Sequence, residues 1–516
     1  MVTDPFDRRS FLATAARAGT ALVAGGSALA SADENVPTPT ETPPASPRVA
    51  SDASHPDIYQ LKPLLILDRE SVADADRATF HLNPAQKYPE NPVLLPGEPH
   101  HWDGLQVIWP GTVLYDPEDK LFRCWYNGLD AVQKNRSKVP WVPGYAESQD
   151  GIHWTKPSLG QLTHEGLPTN RIVVDWSQQV LTIVVKNPDQ SDPARRFLGL
   201  WHVDNETGQR KILASSADGK AWKEEGISFA PENGNRLKFI DVSSLIFQPD
   251  AANENERLLA YGQVFHPRTW DNQTVRQIGL ATGPNLGSFK WSNDLIVFAP
   301  EEGIDEEIHF ASVSKIGDLF VMLYESDRFS LKPLHGDLRL AVSTDGRKFR
   351  RVHSRTPLVS TGSKGMWDEN LLVVTTQAIQ QVGDEIRIYY FGCPNVYRNW
   401  PGAYGVNGLK GSLFYPTFLG LATLPRDRFA YAMGPGSVIT PQLVLGEQGL
   451  WLNADGDQVK VTALDPSGAS AAIGHLVGSL SKSLYRKVQW ATHPPAKPCQ
   501  FRVELNAGER LYSLRC

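Results

Sequence analysis

Acidic residues recur at one kind of place in this sequence, immediately before a strongly apolar run. Asp103 lies in His101-Trp102-Asp103-Gly104-Leu105-Gln106, Asp175 in Val174-Asp175-Trp176, and Asp241 in Phe239-Ile240-Asp241-Val242. Asp305, Glu306 and Glu307 precede Ile308-His309-Phe310, and Asp368 and Glu369 follow Met366-Trp367. A lone acid before a strand is most simply a solvated loop residue; five such places in one chain ask for a common reason. If the runs converge, the acids share one partly desolvated space. Like charges there cannot all ionise, so some carboxyls are pushed up while neighbours stay charged. A protonated carboxyl beside a carboxylate is the pair that cleavage of a sugar acetal requires. Asp103, Asp241 and Glu307 are the catalytic candidates on this reading, with Asp175, Asp368 and Glu325 positioning substrate. Flat indole faces suit the C–H faces of a sugar ring: Trp102, Trp109, Trp176, Trp367 and Trp400. The long stretch 395–415 adds Arg398 and Tyr404, and loops of that length on a rigid scaffold usually form functional rims.

The elements that would position these acids repeat. Tyr145-Ala146-Glu147-Ser148-Gln149-Asp150-Gly151-Ile152-His153-Trp154 returns as Ala214-Ser215-Ser216-Ala217-Asp218-Gly219-Lys220-Ala221-Trp222, and again as Ala341-Val342-Ser343-Thr344-Asp345-Gly346-Arg347-Lys348-Phe349. Looser copies are Gly279-Leu280-Ala281-Thr282-Gly283-Pro284 and Gly420-Leu421-Ala422-Thr423-Leu424-Pro425. Asp-Gly supplies the positive φ angles of a tight hairpin, and the serine can bond the turn backbone. Strand-like runs between the copies fall into five groups: 105–115, 121–127 and 144–148; 179–186, 196–203 and 210–215; 242–248, 257–265 and 275–282; 309–315, 319–325 and 337–343; 371–380, 385–392 and 414–423. The first run of each group is the most apolar, as a strand beside a central axis would be. Repeats of this length that cannot bury their own faces predict a five-bladed β-propeller over 57–432, with 57–68 closing the ring. Residues 433–516 have different turn grammar and predict a small C-terminal β-sandwich, so the fold class is all-β.

The remaining composition bounds the function. The chain has 516 residues and a formal charge of −6, which offers no basic surface to nucleic acid or to a membrane. Residues 1–32 read as a twin-arginine signal peptide: Arg8-Arg9 precede the weakly apolar run 13–30 and an Ala30-Ser31-Ala32 cleavage site. Residues 33–56, rich in Pro, Thr, Ser and Ala, read as a disordered linker. The mature protein is therefore expected in the periplasm or outside the cell, without membrane insertion. Cys124, Cys393, Cys499 and Cys516 lack metal-ligand spacing. Cys499 and Cys516 are placed to meet across the C-terminal sheet.

The blade grammar, the acid before each inner strand and the C-terminal sandwich resemble the five-bladed propeller glycoside hydrolases. That superfamily holds invertases, levanases, arabinanases and xylosidases, with families 32 and 43 and the mannoside phosphorylases. The resemblance implies a catalytic aspartate in the first blade, a positioning aspartate in the second and a general acid in the third. By place these are Asp103, Asp175 and Asp241. Two departures stand out: the Asn-Asp-Pro-Asn-Gly phrase of invertases is absent, and the third-blade acid is aspartate where glutamate is usual. Glu307 therefore competes for the acid role. The resemblance implies no required cofactor, and allows a structural Ca²⁺ at the axis with Asp368 near it.

Those observations predict an exported glycosidase acting on an oligo- or polysaccharide. Three other readings stay open: a non-catalytic carbohydrate-binding propeller, a polysaccharide lyase, and a sialidase-like enzyme. The Ser-x-Asp-Gly phrase is similar to the Asp boxes of sialidases but one residue shorter, and Arg276, Arg339 and Arg398 would have to form that family's arginine trio. No phosphate loop, dinucleotide fingerprint, nucleophile elbow or His-Glu-x-x-His is present.

Overall fold

The computed structural model describes residues 58–98, 100–104, 106–129, 142–172, 179–205, 208–229, 241–328, 330–331, 335–393, 417–478, 483–494 and 498–516. The signal peptide and linker readings lie outside these residues, as do Asp175, Trp176, Arg398, Trp400 and Tyr404.

Five antiparallel units follow one another. The first is Gln106–Asp116, Leu121–Leu129 and Val142–Ser148, extended by a bridge between Glu147 and Thr155. The second is Gln179–Lys186, Phe197–Asn205, Gly208–Ser216 and Lys223–Phe229. The third is Val242–Phe247, Leu258–Pro267, Thr274–Asn285 and Ser288–Phe298. The fourth is Glu307–Ile316, Leu319–Arg328, His335–Ser343 and Arg350–Val352. The fifth is Leu371–Val382, Glu385–Cys393 and Phe418–Pro425. The innermost strand of each unit touches that of the next, and the fifth returns to the first, so the whole is a propeller-like ring. The apolar first run of each group is indeed the inner strand.

Among the described residues neighbouring inner strands share only one parallel bridge, Thr376 with Thr112, and side-chain hydroxyls accept from backbone amides at three other junctions. Each inner strand breaks its pairing with its own second strand: between Ile108 and Thr112, Leu181 and Ile183, Val242 and Ser244, Ile308 and Ala311, and Val374 and Ile379. Hydroxyl residues sit at these bulges. Thr112 Oγ1 accepts from Val184 N (3.0 Å), Ser244 Oγ from Val313 N (2.6 Å) and Ser312 Oγ from Ala378 N (2.9 Å). Thr376 Oγ1 donates to Gly111 O (3.1 Å) and lies 2.5 Å from Thr112 Oγ1, which ties the fifth inner strand to the first.

The repeated Ser-x-Asp-Gly phrase is a link between units. Ser216 Oγ accepts from Gly219 N (2.8 Å), and Asp218 Oδ1 accepts from Lys220 N (2.8 Å) and Ala221 N (3.0 Å). Only the glycine is left-handed: Gly151, Gly219 and Gly346 have φ of 72°, 77° and 71°. The turn is thus capped by its own side chains and is not the two-residue hairpin with paired positive φ that Asp-Gly predicts. Each glycine carbonyl is captured by an aromatic of the preceding unit. Trp125 Nε1 donates to Gly219 O (2.7 Å), Tyr261 OH to Gly346 O (2.8 Å) and Tyr389 OH to Gly151 O (2.9 Å).

Ring closure differs from the expectation. Pro63–Leu65 pairs with Arg510–Arg515 in the C-terminal body, while Gln86–Lys87 completes the fifth unit on Phe418–Pro425. The apolar Leu64 and Ile66 pack into the C-terminal core, a better use of them than an outer edge. That body is one curled antiparallel sheet around Ile66, Val438, Leu452, Val461, Phe501 and Leu514. It recruits Asp74–Asp76 and Thr79–Leu82 from the N-terminal side and contains Ser470–Val477. Cys499 and Cys516 are free thiols there.

Gly219 tests the inter-unit link. A Cβ there would lie 2.6 Å from Trp125 Cζ2, whereas at Gly166, with a similar φ of 80°, it would meet nothing within 4 Å. Gly166→Ala should cost about 1 kcal/mol of backbone strain, and Gly219→Ala about 3 kcal/mol through added steric displacement. Urea unfolding midpoints of the two variants give the comparison.

Candidate functional site

The acids before the inner strands separate into two kinds. Asp103 is 1% exposed and accepts from Lys156 Nζ (2.5 Å), Tyr126 OH (2.8 Å) and Gly97 N (3.2 Å). Asp368 accepts from Lys87 Nζ (2.5 Å) and Tyr390 OH (3.1 Å). Asp305 takes Arg351 Nη2 (3.0 Å) and Glu301 N (2.8 Å), and burial raises its carboxyl against the pull of Arg351. The cation lies over the ring of a second-strand tyrosine in each case: Lys156 over Tyr126, Lys87 over Tyr390 and Arg351 over Tyr324. Burial, reinforced by the neighbouring aspartate, pushes the Tyr126 and Tyr390 phenols up, so both remain donors. The same device thus clamps the outer edge of the first, fourth and fifth units to the entry of the inner strand.

The adjacent tryptophans belong to the clamp. Trp102 stacks on Tyr126 (5.8 Å, 20°) and Trp367 on Tyr390 (5.7 Å, 14°). Gly128 and Gly144 crowd Trp102, and Gly392 and Gly420 crowd Trp367, so closely that a Cβ at any of the four would overlap the indole. At 5% and 2% exposure neither offers a face to a sugar. Asp103, Asp368, Trp102 and Trp367, expected from sequence in catalytic, positioning and stacking roles, are thus all held in the clamps. Asp368 has its Oδ2 committed to Lys87 and Tyr390, which argues against it as an axial Ca²⁺ ligand.

Asp241 and Glu307 are of the second kind. Asp241 opens the inner strand of the third unit and Glu307 that of the fourth. Arg276, on the third strand of the third unit, joins them: its Nη1 donates to Glu307 Oε1 (2.7 Å), and it acts electrostatically on Asp241. Lys211, on the third strand of the second unit, also faces Asp241 and lies 2.8 Å from His202 Nδ1. Burial raises the Asp241 carboxyl, with Lys211 and Arg276 opposing it. Burial likewise pushes the Lys211 ammonium down to about 7, with Asp241 opposing it.

Beside Glu307 lies a second buried polar group. Glu307 pairs in register with Asp327, and Ile308 with Ser326. The pairing then breaks before Ala311. His309 Nδ1 reaches Glu325 Oε2 at 2.7 Å, Gln263 Nε2 donates to His309 O (2.7 Å), and Trp109 meets the imidazole edge-on (6.0 Å, 80°). Trp109 is 3% exposed and packs as core. Arg339 is bound to Asp337 (2.6 Å) and Ser354 O (2.6 Å), while Arg276 holds Glu307, so these two members of the supposed arginine trio serve different carboxylates.

Of the sequence candidates, then, Glu307 is ion-paired with Arg276, which also acts electrostatically on Asp241, and Glu325 lies on the strand paired with that of Glu307. Lys211, His309 and Asp327 were missed. Their signal is a charged or imidazole side chain alternating with apolar residues inside a strand, as in Glu307-Ile308-His309, where a buried polar group demands a partner.

No protein-family model and no curated protein matches this chain. Solved structures do resemble it. One titled "Glycoside hydrolase" has 14% identity over 69% of this chain and 93% of its own, with a TM-score of 0.45. An N-acetylgalactosamine deacetylase from F. plautii, in complex with blood group B trisaccharide, has 15% identity over 67% and 96%, TM-score 0.42. A structure from the GH130 family of mannoside phosphorylases, described as containing glycoside hydrolases that target β-1,2 mannosidic linkages in Candida mannan, has 15% identity over 68% and 95%, TM-score 0.41.

Two measurements test the division. Asp103→Asn removes the charge that holds half-buried Lys156, and should cost about 1–3 kcal/mol in urea unfolding. Lys211 carries the opposite kind of signature. Its folded value lies near 7 against an ordinary 10.5, so the unfolded chain binds the extra proton between those limits and stability rises with pH from about 7 to 10.5. Lys211→Met should flatten that limb in a series of unfolding midpoints.

Proposed function

We propose that the protein cleaves glycosidic bonds of an oligo- or polysaccharide at the mouth formed by the starts of the inner strands. The observation that carries the reading is the pairing of a raised carboxyl, Asp241, with an ion-paired carboxylate, Glu307, around Arg276. Asp241 in its protonated form gives its proton to the departing glycosidic oxygen. Glu307 supplies the opposing negative charge, either attacking the anomeric carbon or taking a proton from a water that does. Arg276 holds Glu307 in place. Lys211 neighbours the acid, so its own charge state tunes the proton on Asp241. Asp103 has no part in the chemistry on this reading; its carboxyl is already committed to the clamp. Export by the twin-arginine segment at 1–32 belongs to the same proposal, and is checked by finding the protein outside the cytoplasm of its source cells.

The test is a turnover screen of residues 33–516 on aryl glycosides and plant, algal and microbial polysaccharides, with products read by mass. Sugar should be released, and Asp241→Asn should lower the rate by about 10²–10⁴-fold without loss of Tm at neutral pH. Activity should decline as pH rises through the raised Asp241 value, because the acid form is then lost, and that limb should vanish in Asp241→Asn. Anomeric configuration by NMR assigns Glu307 as nucleophile (retention) or base (inversion). Binding without product would make the ring a carbohydrate-binding module, an unsaturated product would make it a lyase, and full activity in Asp241→Asn would remove that residue from the mechanism.

A further inference from the structure

His309, Glu325 and Asp327 are all buried, at 2%, 0% and 0% exposure, and each offers one ligand atom within 4.8 Å of the others. Three features of the fold make this a prepared cluster. The pairing break after Ile308 frees the imidazole from the regular strand register, so His309 can reach across to the second strand of its own unit. Glu325 and Asp327 alternate along that second strand and so face the same way. Gly336, paired with Asp327 on the third strand, leaves the space open: a Cβ there would lie 2.5 Å from Asp327 Oδ1 and 3.5 Å from Glu325 Oε1.

One imidazole nitrogen and two carboxylate oxygens converging within this distance make a three-donor set of the kind a divalent ion takes. We propose that His309, Glu325 and Asp327 bind one divalent first-row transition-metal ion, of the Mn²⁺ or Zn²⁺ class, beside Glu307 at the mouth of the ring. The donor set selects the class. An imidazole with two carboxylates suits these ions, whereas Ca²⁺ seeks six to eight oxygen donors in a flexible cage. The 2.7 Å between His309 Nδ1 and Glu325 Oε2 is near the edge length of a coordination octahedron, about 3 Å for metal–ligand bonds of about 2.1 Å. Gln263, donating to His309 O, and Trp109, edge-on to the ring, hold the imidazole from outside the cluster. The site stands apart from the glycosidase reading: it holds whether or not Asp241 proves to be an acid.

The experiment reads metal, not turnover. Residues 33–516 are stripped with EDTA, dialysed into chelator-free buffer, and exposed to MnCl2, ZnCl2 or CaCl2. Bound metal is counted by ICP-MS after desalting, and Tm is recorded alongside. One Mn²⁺ or Zn²⁺ per chain is expected, with Tm rising by a few degrees, and Asp327→Asn should weaken retention by about tenfold or more. X-ray absorption of the zinc-loaded wild type should show a single imidazole among oxygen donors, a reading that does not depend on the variant folding. No retained metal with an unchanged Tm overturns the proposal. So do equal retention in Asp327→Asn, an all-oxygen shell, or a CaCl2 response matching that of MnCl2 and ZnCl2. In the first case the cluster is a plain His309–Glu325 hydrogen-bonded pair.

Discussion

The structure depends on how five inner strands stand side by side. They run around an axis, each belonging to its own antiparallel unit, and adjacent ones cannot extend a common ladder. An unpaired buried amide would cost on the order of 1–3 kcal/mol at each junction. The hydroxyls of Thr112, Ser244 and Ser312 meet that demand at three junctions, and Thr376 Oγ1 donates to the Gly111 carbonyl at a fourth. The break after Ile308 lets His309 reach Glu325, while Glu307 stays in register with Asp327.

Around that ring, charge is used twice over. The clamps at Asp103, Asp305 and Asp368 place an acid before the inner strand and a cation on the outer edge, with a tyrosine between. These bonds bind the first and last strands of a unit that would otherwise be held only through its middle strands. The Ser-x-Asp-Gly turns do the complementary work between units, through a glycine carbonyl and an aromatic donor. Both devices leave strong sequence repeats.

That explains what could and could not be read in advance. The repeat length, the strand groups and the apolar inner strands were legible because they follow from local pattern. The division of the acids was not. Whether an aspartate before a strand is clamped depends on a cation far away in the chain: 53 residues for Asp103, 46 for Asp305 and 281 for Asp368. Asp103 and Asp241 look alike in sequence, both preceding an apolar run; only Asp103 has Lys156 waiting on its outer edge. Lys211 was hidden for the opposite reason. It lies within a strand beside Ile212 and Leu213, where a charged residue reads as a solvent-facing alternate. The ring turns that alternate inward.

The mouth of the second, third and fourth units therefore gathers charges that the rest of the ring excludes. Burial acts there on both signs at once, raising the Asp241 carboxyl and lowering the Lys211 ammonium. Each shift brings its group nearer to neutrality, and each group's charge partly restores the other's. Arg276, in turn, is tied to Glu307 at 2.7 Å. One carboxylate is thus pinned by a permanent cation while its neighbour faces an adjustable one.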